Sequence, residues 1–385
     1  MLTACASTPE PTTDFAELQS IVDYRLDLAT DHPDSIEQIY SIDLKSAHQI
    51  IGQFSHLPKH RAISKLADWL VDPTGYGLVY DVDANLKPQE VIEQGKGNCL
   101  SFTLLLIELA KLLDVELVAN QVDLPDVWQM DRARDLVFYR HVNAVRNNFG
   151  NKQVFDLAID RYRFEYPQRE ITNRQAAAML LSNIGLEYLL DGQKESARHF
   201  LTLAVSSSPD NPDLWINLGA WYKQKGQFKL AEKIYLRAFN LQGSKGLASS
   251  NLVRLYDHLG QSEKAKKFRY RAKVAHLSNP YMQFYLAQQE FSNKKYKAAR
   301  KHINKAISLH GKDPSFYTLR SVLKQKNHRY HSAIKDLSKA YQLTENLNNR
   351  TKIRNKLELV ANRAKAHQRE TQQVQLCGGL INCNF

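Results

Sequence analysis

The C-terminal half of the chain has a hydrophobic pattern that repeats every 34 residues. Taking residues 178, 212, 246, 280 and 314 as successive first positions aligns the repeats without a gap. Position 20 is always alanine, at Ala197, Ala231, Ala265, Ala299 and Ala333. Position 27 is also always alanine, at Ala204, Ala238, Ala272, Ala306 and Ala340. Small side chains let two helices approach closely, so the pattern predicts five helical hairpins at 178–211, 212–245, 246–279, 280–313 and 314–347.

The second hairpin has the most complete set of further marker positions. These are Trp215, Leu218, Gly219, Tyr222, Gly226 and Tyr235. Residues 171–347 therefore resemble the tetratricopeptide family. The resemblance implies an all-α solenoid that binds a peptide or protein in its groove. Helical hairpins of this kind bury their faces only against neighbours, so we expect a polar capping helix at 348–370, followed by an irregular tail at 371–385.

Residues 14–170 have a different pattern. Apolar residues recur at helical spacing in 14–28, 36–54, 61–70, 87–94 and 98–113. Apolar and polar residues alternate in 115–122, 138–145 and 153–159, which is typical of strands. Helices followed by a few antiparallel strands predict a separate α+β domain over 14–170.

Composition agrees with two globular domains and narrows the choice of partners. The chain has 385 residues, 43% apolar and 24% charged, with a net charge of +12. No apolar run approaches the roughly 18 residues that a membrane-spanning helix needs. The basic residues occur throughout the helical repeats, so we interpret most of them as solvated surface and expect no nucleic-acid binding. The functional alternative is a groove that prefers acidic or C-terminal carboxylate ligands.

The clearest candidate for chemistry is a cysteine that follows a glycine-containing turn. The turn is formed by residues 95–98, and an apolar helix begins at Cys99. Backbone N–H groups at a helix N-terminus favour the thiolate, which is the reactive form of the side chain. Asn98 is a suitable N-cap.

A nucleophilic thiol also needs a base and an acceptor that orients the base. His141 and Asp156 lie on consecutive predicted strands, so a hairpin between them would bring the two side chains together. With Trp69 and the helix-like segment 87–94, this order of residues over about 60–160 resembles the transglutaminase-like superfamily. That resemblance implies a papain-related fold in which Cys99 attacks an amide carbonyl, His141 acts as base and then acid, and Asp156 orients His141.

Two departures keep a second interpretation open. Asn143 and Leu157 stand where that family often has an aromatic residue and a proline. The oxyanion needs two donors. The Cys99 N–H is one, and the second is left open between Gln94 and Tyr80. Cysteine, histidine and aspartate each also have ordinary structural roles, so the alternative is a non-catalytic scaffold with a degenerate domain of this type.

The repeats contain a candidate ligand groove. Position 6 is asparagine in three consecutive repeats, at Asn183, Asn217 and Asn251. An asparagine can donate to and accept from the backbone of an extended peptide. Arg254 and Lys223 are nearby candidates for holding a carboxylate. The alternative is that the asparagines satisfy local backbone groups.

The chain start carries a possible lipidation signal. Residues 2–5, which end in Cys5, match the lipobox of bacterial lipoproteins, and the Pro- and Thr-rich residues 7–13 suit a flexible tether. A basic and apolar leader would have to lie upstream of Met1. We therefore expect residues 1–13 to be a tether. If the true start lies upstream of Met1, we expect the protein to be lipid-anchored at the periplasmic face of a bacterial envelope. If it does not, we expect a cytoplasmic protein.

The remaining cysteines and the nearby histidines give no metal or cofactor prediction. Cys377 and Cys383 either form a small disulfide ring or remain two thiols in a frayed tail. His48, His56 and His60 show no metal-ligand spacing with a cysteine or carboxylate. We expect neither a metal nor a cofactor.

Overall fold

A computed structural model describes residues 36–122, 141–148, 151–157, 166, 168–344 and 347–378. Backbone contacts divide the chain into two compact units. Unit 1 contains residues 1–162 and 167–273, and unit 2 contains residues 163–166 and 274–385. No helix among the described residues is both long and apolar enough to cross a bilayer.

The first part of unit 1 consists of short helices around one long apolar helix. A 3₁₀ helix at Ile36–Tyr40 is followed by α1 (Leu44–Gly52), α2 (Lys59–Val71), α3 (Pro88–Gln94) and α4 (Cys99–Leu112). Helix α4 is buried along most of its length, from Leu100 to Ala110. Strands β1 (Val79–Tyr80) and β2 (Lys96–Gly97) form a short parallel pair immediately before α4.

A four-stranded antiparallel sheet completes this part of the unit. Its strands are β3 (Val118–Val122), β4 (His141–Asn148), β5 (Asn151–Phe155) and β6 (Gln168–Ile171). Their spatial order is β5-β4-β3-β6. Residues on β3 and β4 pair in a fixed register, with Val122 opposite His141 and Asn120 opposite Asn143.

Helical hairpins follow the sheet. The first helices of the hairpins are α5 (Asn173–Leu190), α7 (Pro212–Gln224), α9 (Lys245–His258), α11 (Pro280–Ser292) and α13 (Pro314–Gln325). The second helices are α6 (Lys194–Ser207), α8 (Phe228–Asn240), α10 (Ser262–Leu277), α12 (Tyr296–Leu309) and α14 (Tyr330–Leu343). The second helices begin 34 residues apart, which is the period of the sequence repeat. Helix α15 (Leu347–Gly378) follows them.

The small residues of the repeat mark close contacts between helices. All ten alanines at positions 20 and 27 are buried. A Cβ atom on Gly219 would lie 2.6 Å from the Tyr235 ring, and one on Gly185 would lie 2.8 Å from the Leu201 side chain. Each glycine therefore allows the first helix of its hairpin to lie directly against the second.

The first repeats share a hydrophobic core with the residues before them. One cluster of buried residues extends from Ile36 to Phe268 and includes α4, β3, β4 and most of α5. Unit 2 has its own clusters, one around Phe316 and one around Leu337. The predicted domain boundary is at residue 170. Backbone contacts instead divide the chain within α10, between residues 273 and 274.

Two predicted elements differ from the structure. The segment 36–54 is not one helix, because the Asp43 side chain accepts a hydrogen bond from the Ser46 N–H and caps α1 after the 3₁₀ helix. The segment from 371 continues α15 as far as Gly378. Residues 371–376 contain no glycine or proline, so nothing in them ends a helix before Gly378.

The net positive charge belongs to unit 2. Residues 274–385 contain 20 Lys and Arg against 6 Asp and Glu, whereas residues 1–273 contain 32 against 34. Exposed cations around the start of α12 line a shallow pocket of about 860 Å³, and they are Lys294, Lys295, Lys297, Arg300 and Lys301. The basic residues are therefore more concentrated than the sequence pattern indicated.

Candidate active site

The turn before α4 places a thiol at the first position of the helix. Gly95 adopts a left-handed conformation with φ of 65° and ends α3. Asn98 then caps α4, because its Oδ1 accepts hydrogen bonds from the N–H groups of Leu100 and Ser101 at 3.1 and 3.0 Å. Cys99 is half-buried and forms no disulfide.

His141 lies at the start of β4 and contacts both other members of the predicted triad. Its Nε2 is 2.5 Å from Asp156 Oδ2, and the Cys99 side chain is near enough to raise the pKa of His141. Because Asp156 engages Nε2, Nδ1 is the nitrogen that remains for the thiol. The side chains of His141 and Asp156 are 5% and 0% exposed, so water does not weaken their contact.

Two opposing effects set the charge of this imidazole. Burial alone would lower the pKa of His141, but the hydrogen bonds and negative charges of Asp156 and Cys99 outweigh burial and raise the pKa to about 10. His141 is therefore an imidazolium at neutral pH. A cation held between a sulfur and a carboxylate is the arrangement needed to stabilise a thiolate.

Asn143, which departs from the family pattern in sequence, is part of the site in the structure. Its Nδ2 donates to Asp156 Oδ2 at 3.2 Å. Its Oδ1 accepts from Nδ2 of Asn120, its cross-strand neighbour, at 2.9 Å. Lys152 donates in turn to Asn120 Oδ1 at 3.1 Å. The sequence signal for these hydrogen bonds is that the polar His141 and Asn143 are two residues apart and alternate with the apolar Val142 and Ala144.

The two oxyanion candidates line the same pocket. Tyr80 and the exposed Gln94 line a shallow pocket of about 670 Å³ with Asp81 and Lys96. Cys99 does not line this pocket. Tyr80 pairs with Gly97, two residues before the nucleophile. The structure therefore brings the candidates close to each other without choosing one as the second donor.

The three aligned asparagines, which were predicted to line a peptide groove, are buried in this structure. Asn183 donates to Asn85 at 2.9 Å, Asn217 to Ser182 at 2.9 Å, and Asn251 to the Leu247 carbonyl at 3.1 Å. Their amide groups thus satisfy internal acceptors, but only Asn251 donates to a local backbone group, as the alternative interpretation expected of all three.

Other predicted site residues remain separate from this centre. Lys223 and Arg254 are half-buried on α7 and α9, the first helices of two successive repeats. Cys5, Cys383 and the tether lie outside the described residues. Within the described part of the chain, no group of three or more His, Cys, Asp or Glu side chains is arranged to hold a metal ion.

Comparison with known proteins identifies one repeat. Residues 212–245 match the family model described as a tetratricopeptide repeat. This is the second predicted hairpin, formed by α7 and α8, and it shows that the repeats are of the tetratricopeptide type. No curated protein matches the chain.

Three solved structures illustrate the structural likeness. The Pseudomonas aeruginosa protein pilF is 20% identical over 54% of this chain and 95% of its own, with a TM-score of 0.26. YrrB, described as a tetratricopeptide protein with an unusual peptide-binding site, is 15% identical over 50% of this chain and 94% of its own, with a TM-score of 0.25. MamA from Desulfovibrio magneticus RS-1 is 16% identical over 43% and 94%, with a TM-score of 0.24.

Proposed function

We propose that this chain is a cysteine-dependent amide hydrolase or acyl transferase with a transglutaminase-like catalytic domain. The observation that carries the proposal is the position of His141, whose imidazole contacts both the Cys99 thiol and the Asp156 carboxylate. The three side chains come from the start of α4, the start of β4 and the residue after β5. A nucleophile, a base and an orienting acceptor in contact are the requirements for acyl transfer by cysteine.

The reaction follows from these contacts. The Cys99 sulfur attacks an amide carbonyl carbon, and the imidazolium of His141 donates its proton to the leaving nitrogen as the C–N bond breaks. The acyl group is then held as a thioester. Water or an amine attacks the thioester while neutral His141 takes a proton from it, and the sulfur leaves as a thiolate. Asp156 keeps the imidazole oriented in both steps.

The oxyanion formed in each step needs donors that are already in place. The backbone N–H of Cys99 lies at the N-terminus of α4, where the first N–H groups have no partner within the helix. The Tyr80 hydroxyl and the Gln94 amide are the two candidates for the second donor. Tyr80 pairs with Gly97, two residues before Cys99, and Gln94 is the last residue of α3.

The test is the reactivity of Cys99 with iodoacetamide at pH 6, in a full-length chain where Ser replaces the other three cysteines. An unperturbed thiol with a pKa near 8.5 is less than about 1% thiolate at this pH, so an activated thiol reacts at least about tenfold faster than free cysteine. His141→Ala is expected to remove most of the enhancement. An ordinary reaction rate that does not depend on His141 would rule out the enzymatic proposal.

A second candidate is a non-catalytic scaffold, and the comparisons favour it. The tetratricopeptide match at residues 212–245 supports a role in protein interaction. In this interpretation the Cys99 centre is inert. The same alkylation assay separates the candidates, because a scaffold needs no dependence of thiol reactivity on His141.

For either candidate, we propose that the partner of the repeats is an acidic peptide or protein. The excess of cations in residues 274–385, together with the exposed cluster at Lys294 to Lys301, supports this chemistry. Fluorescence anisotropy with an aspartate-rich peptide tests it, with duplex DNA of equal charge as the comparison. Tighter binding of DNA, with a steep dependence on salt, would instead indicate a nucleic-acid partner.

We also propose an envelope location with a lipid anchor at Cys5. The support is the lipobox-like sequence at residues 2–5 and the Pro- and Thr-rich segment that follows it. Mass spectrometry of the N-terminal peptide from native cells tests this proposal. An unmodified N-terminal peptide that retains Met1 would contradict it.

A further inference from the structure

One buried side chain joins the helix that carries the thiol to the first repeat. Asn85 lies between β1 and α3 and is 6% exposed. Its Oδ1 accepts hydrogen bonds from Nδ2 of Asn98 at 2.7 Å and from Nδ2 of Asn183 at 2.9 Å. Its Nδ2 donates to Glu187 Oε1 at 2.5 Å. Every polar atom of this amide side chain is therefore engaged, and the four residues form one network.

On the catalytic side, the network fixes the cap of α4. The side-chain amide of Asn98 makes two kinds of contact. Its Oδ1 caps α4, and its Nδ2 donates to Asn85. Holding Nδ2 in place fixes the direction in which Oδ1 points. The loop is tied to α4 at a second point, since Ser101 Oγ donates to the Ala84 carbonyl at 3.1 Å and accepts from the Leu86 N–H at 2.9 Å.

On the repeat side, the network uses one face of α5. Asn183 and Glu187 are four residues apart on this helix, so they lie on the same face. The corresponding asparagine of the third repeat, Asn251, bonds only within its own helix, to the Leu247 carbonyl. Asn183 therefore has a role that its repeat position alone does not require.

We propose that the first repeat is part of the support of the nucleophile. Asn183 and Glu187 hold Asn85, Asn85 holds the Asn98 cap, and the cap keeps Cys99 at the ordered N-terminus of α4. Asn85 is in these terms a positioning residue for the site, and this inference rests on the proposed function. All four residues of the network lie in unit 1.

The experiment measures the rate of Cys99 alkylation from pH 5 to pH 10, in the full-length chain with Ser at the other cysteines. Asn85→Ala is expected to move the profile to higher pH and to slow the reaction at pH 6 by about three- to tenfold, which is the size of the effects of helix caps and helix termini. The plateau rate at high pH stays unchanged, because the thiolate itself is still accessible. A loss of fold alone would not produce this combination.

Three further variants sharpen the comparison. Glu187→Gln keeps an acceptor for Asn85 and is expected to retain the wild-type profile, whereas Glu187→Ala shifts it in the same direction as Asn85→Ala. Asn183→Ala removes one donor to Asn85 and gives a smaller shift. Asn251→Ala is the matched control, because it removes a buried asparagine at the same repeat position without touching the network, and it leaves the profile unchanged.

The outcomes separate this inference from the proposed function. If His141→Ala moves the profile but Asn85→Ala coincides with the wild type, the positioning role is wrong and the proposed function stands. If circular dichroism shows that Asn85→Ala does not fold, Asn183→Ala and Glu187→Ala replace it. A shift of their alkylation profiles to higher pH then supports the positioning role, and unchanged profiles contradict it. If His141→Ala has no effect while Asn85→Ala moves the profile, the proposed function fails and the coupling through Asn85 remains.

Discussion

The strongest quantitative prediction concerns the protonation of His141. Asp156 and Cys99 raise the pKa of His141 from 6.5 to about 10, even though burial opposes the rise. At pH 8 the imidazole is then about 99% protonated, compared with about 3% for a group with the ordinary value. Asp156→Asn removes the carboxylate that accepts from Nε2, so we expect the pKa of His141 to fall in this variant.

Nuclear magnetic resonance of ¹⁵N-labelled histidine measures this protonation directly. The chain contains 13 histidines, so the His141 signal is assigned as the one that His141→Gln removes. Its nitrogen shifts are followed from pH 5 to pH 11. The control is Asp114→Asn, which removes an exposed carboxylate that pairs with Lys59 and leaves the His141 titration unchanged.

The same pKa predicts how stability depends on pH. The folded-state pKa lies above the unfolded value, so the contribution of protonated His141 is complete below pH 6.5 and is lost as the pH rises through about 10. On going from pH 7 to pH 10, wild type should lose more unfolding free energy than His141→Gln, by an amount on the order of a few kcal/mol. A His141 titration midpoint within one unit of 6.5 in the wild type would refute this reasoning.

Three further predictions test the packing and the site. Gly219→Ala forces a methyl group against a tyrosine ring, so it should lower the unfolding free energy by about 1–3 kcal/mol in urea titrations, whereas Gly52→Ala, which meets open space, should not. Asn143→Ala leaves the triad aspartate without one donor and should slow Cys99 alkylation at pH 6 while the fold, followed by circular dichroism, is retained. A chain ending at residue 170 lacks the helix that completes the core and should not fold, but one ending at residue 273 should give a cooperative thermal transition.

The sequence predicted the repeating part of the fold well because its signal is local and periodic. A 34-residue grid of alanines fixes where each second helix lies, and the tetratricopeptide match at residues 212–245 confirms the repeat type. The boundary between domains was not predictable in the same way. Apolar residues of α5 fit a repeat helix and a domain core equally well, so periodicity does not show which neighbours bury them.

The candidate site also contains residues that were predictable from local patterns and residues that were not. Cys99, His141 and Asp156 were predictable, because a thiol at a helix start and polar residues on adjacent strands are recognisable patterns, and the structure brings the three side chains into contact. Their activity stays a prediction. The asparagines were harder to interpret, since one residue type served as a strand partner at Asn143 and as an internal donor at Asn183. Which neighbour an amide meets depends on tertiary contacts that its spacing does not encode.

The network around Asn85 has a consequence for the order in which the protein is made. Asn85 and Asn183 are separated by 98 residues, and Cys99 leaves the ribosome well before His141, Asp156 and α5. Until those segments emerge, the cysteine has neither its base nor a fixed helix cap. Under the proposed function, the site around Cys99 is therefore assembled only after the first repeat has been synthesised and has folded against the residues before it.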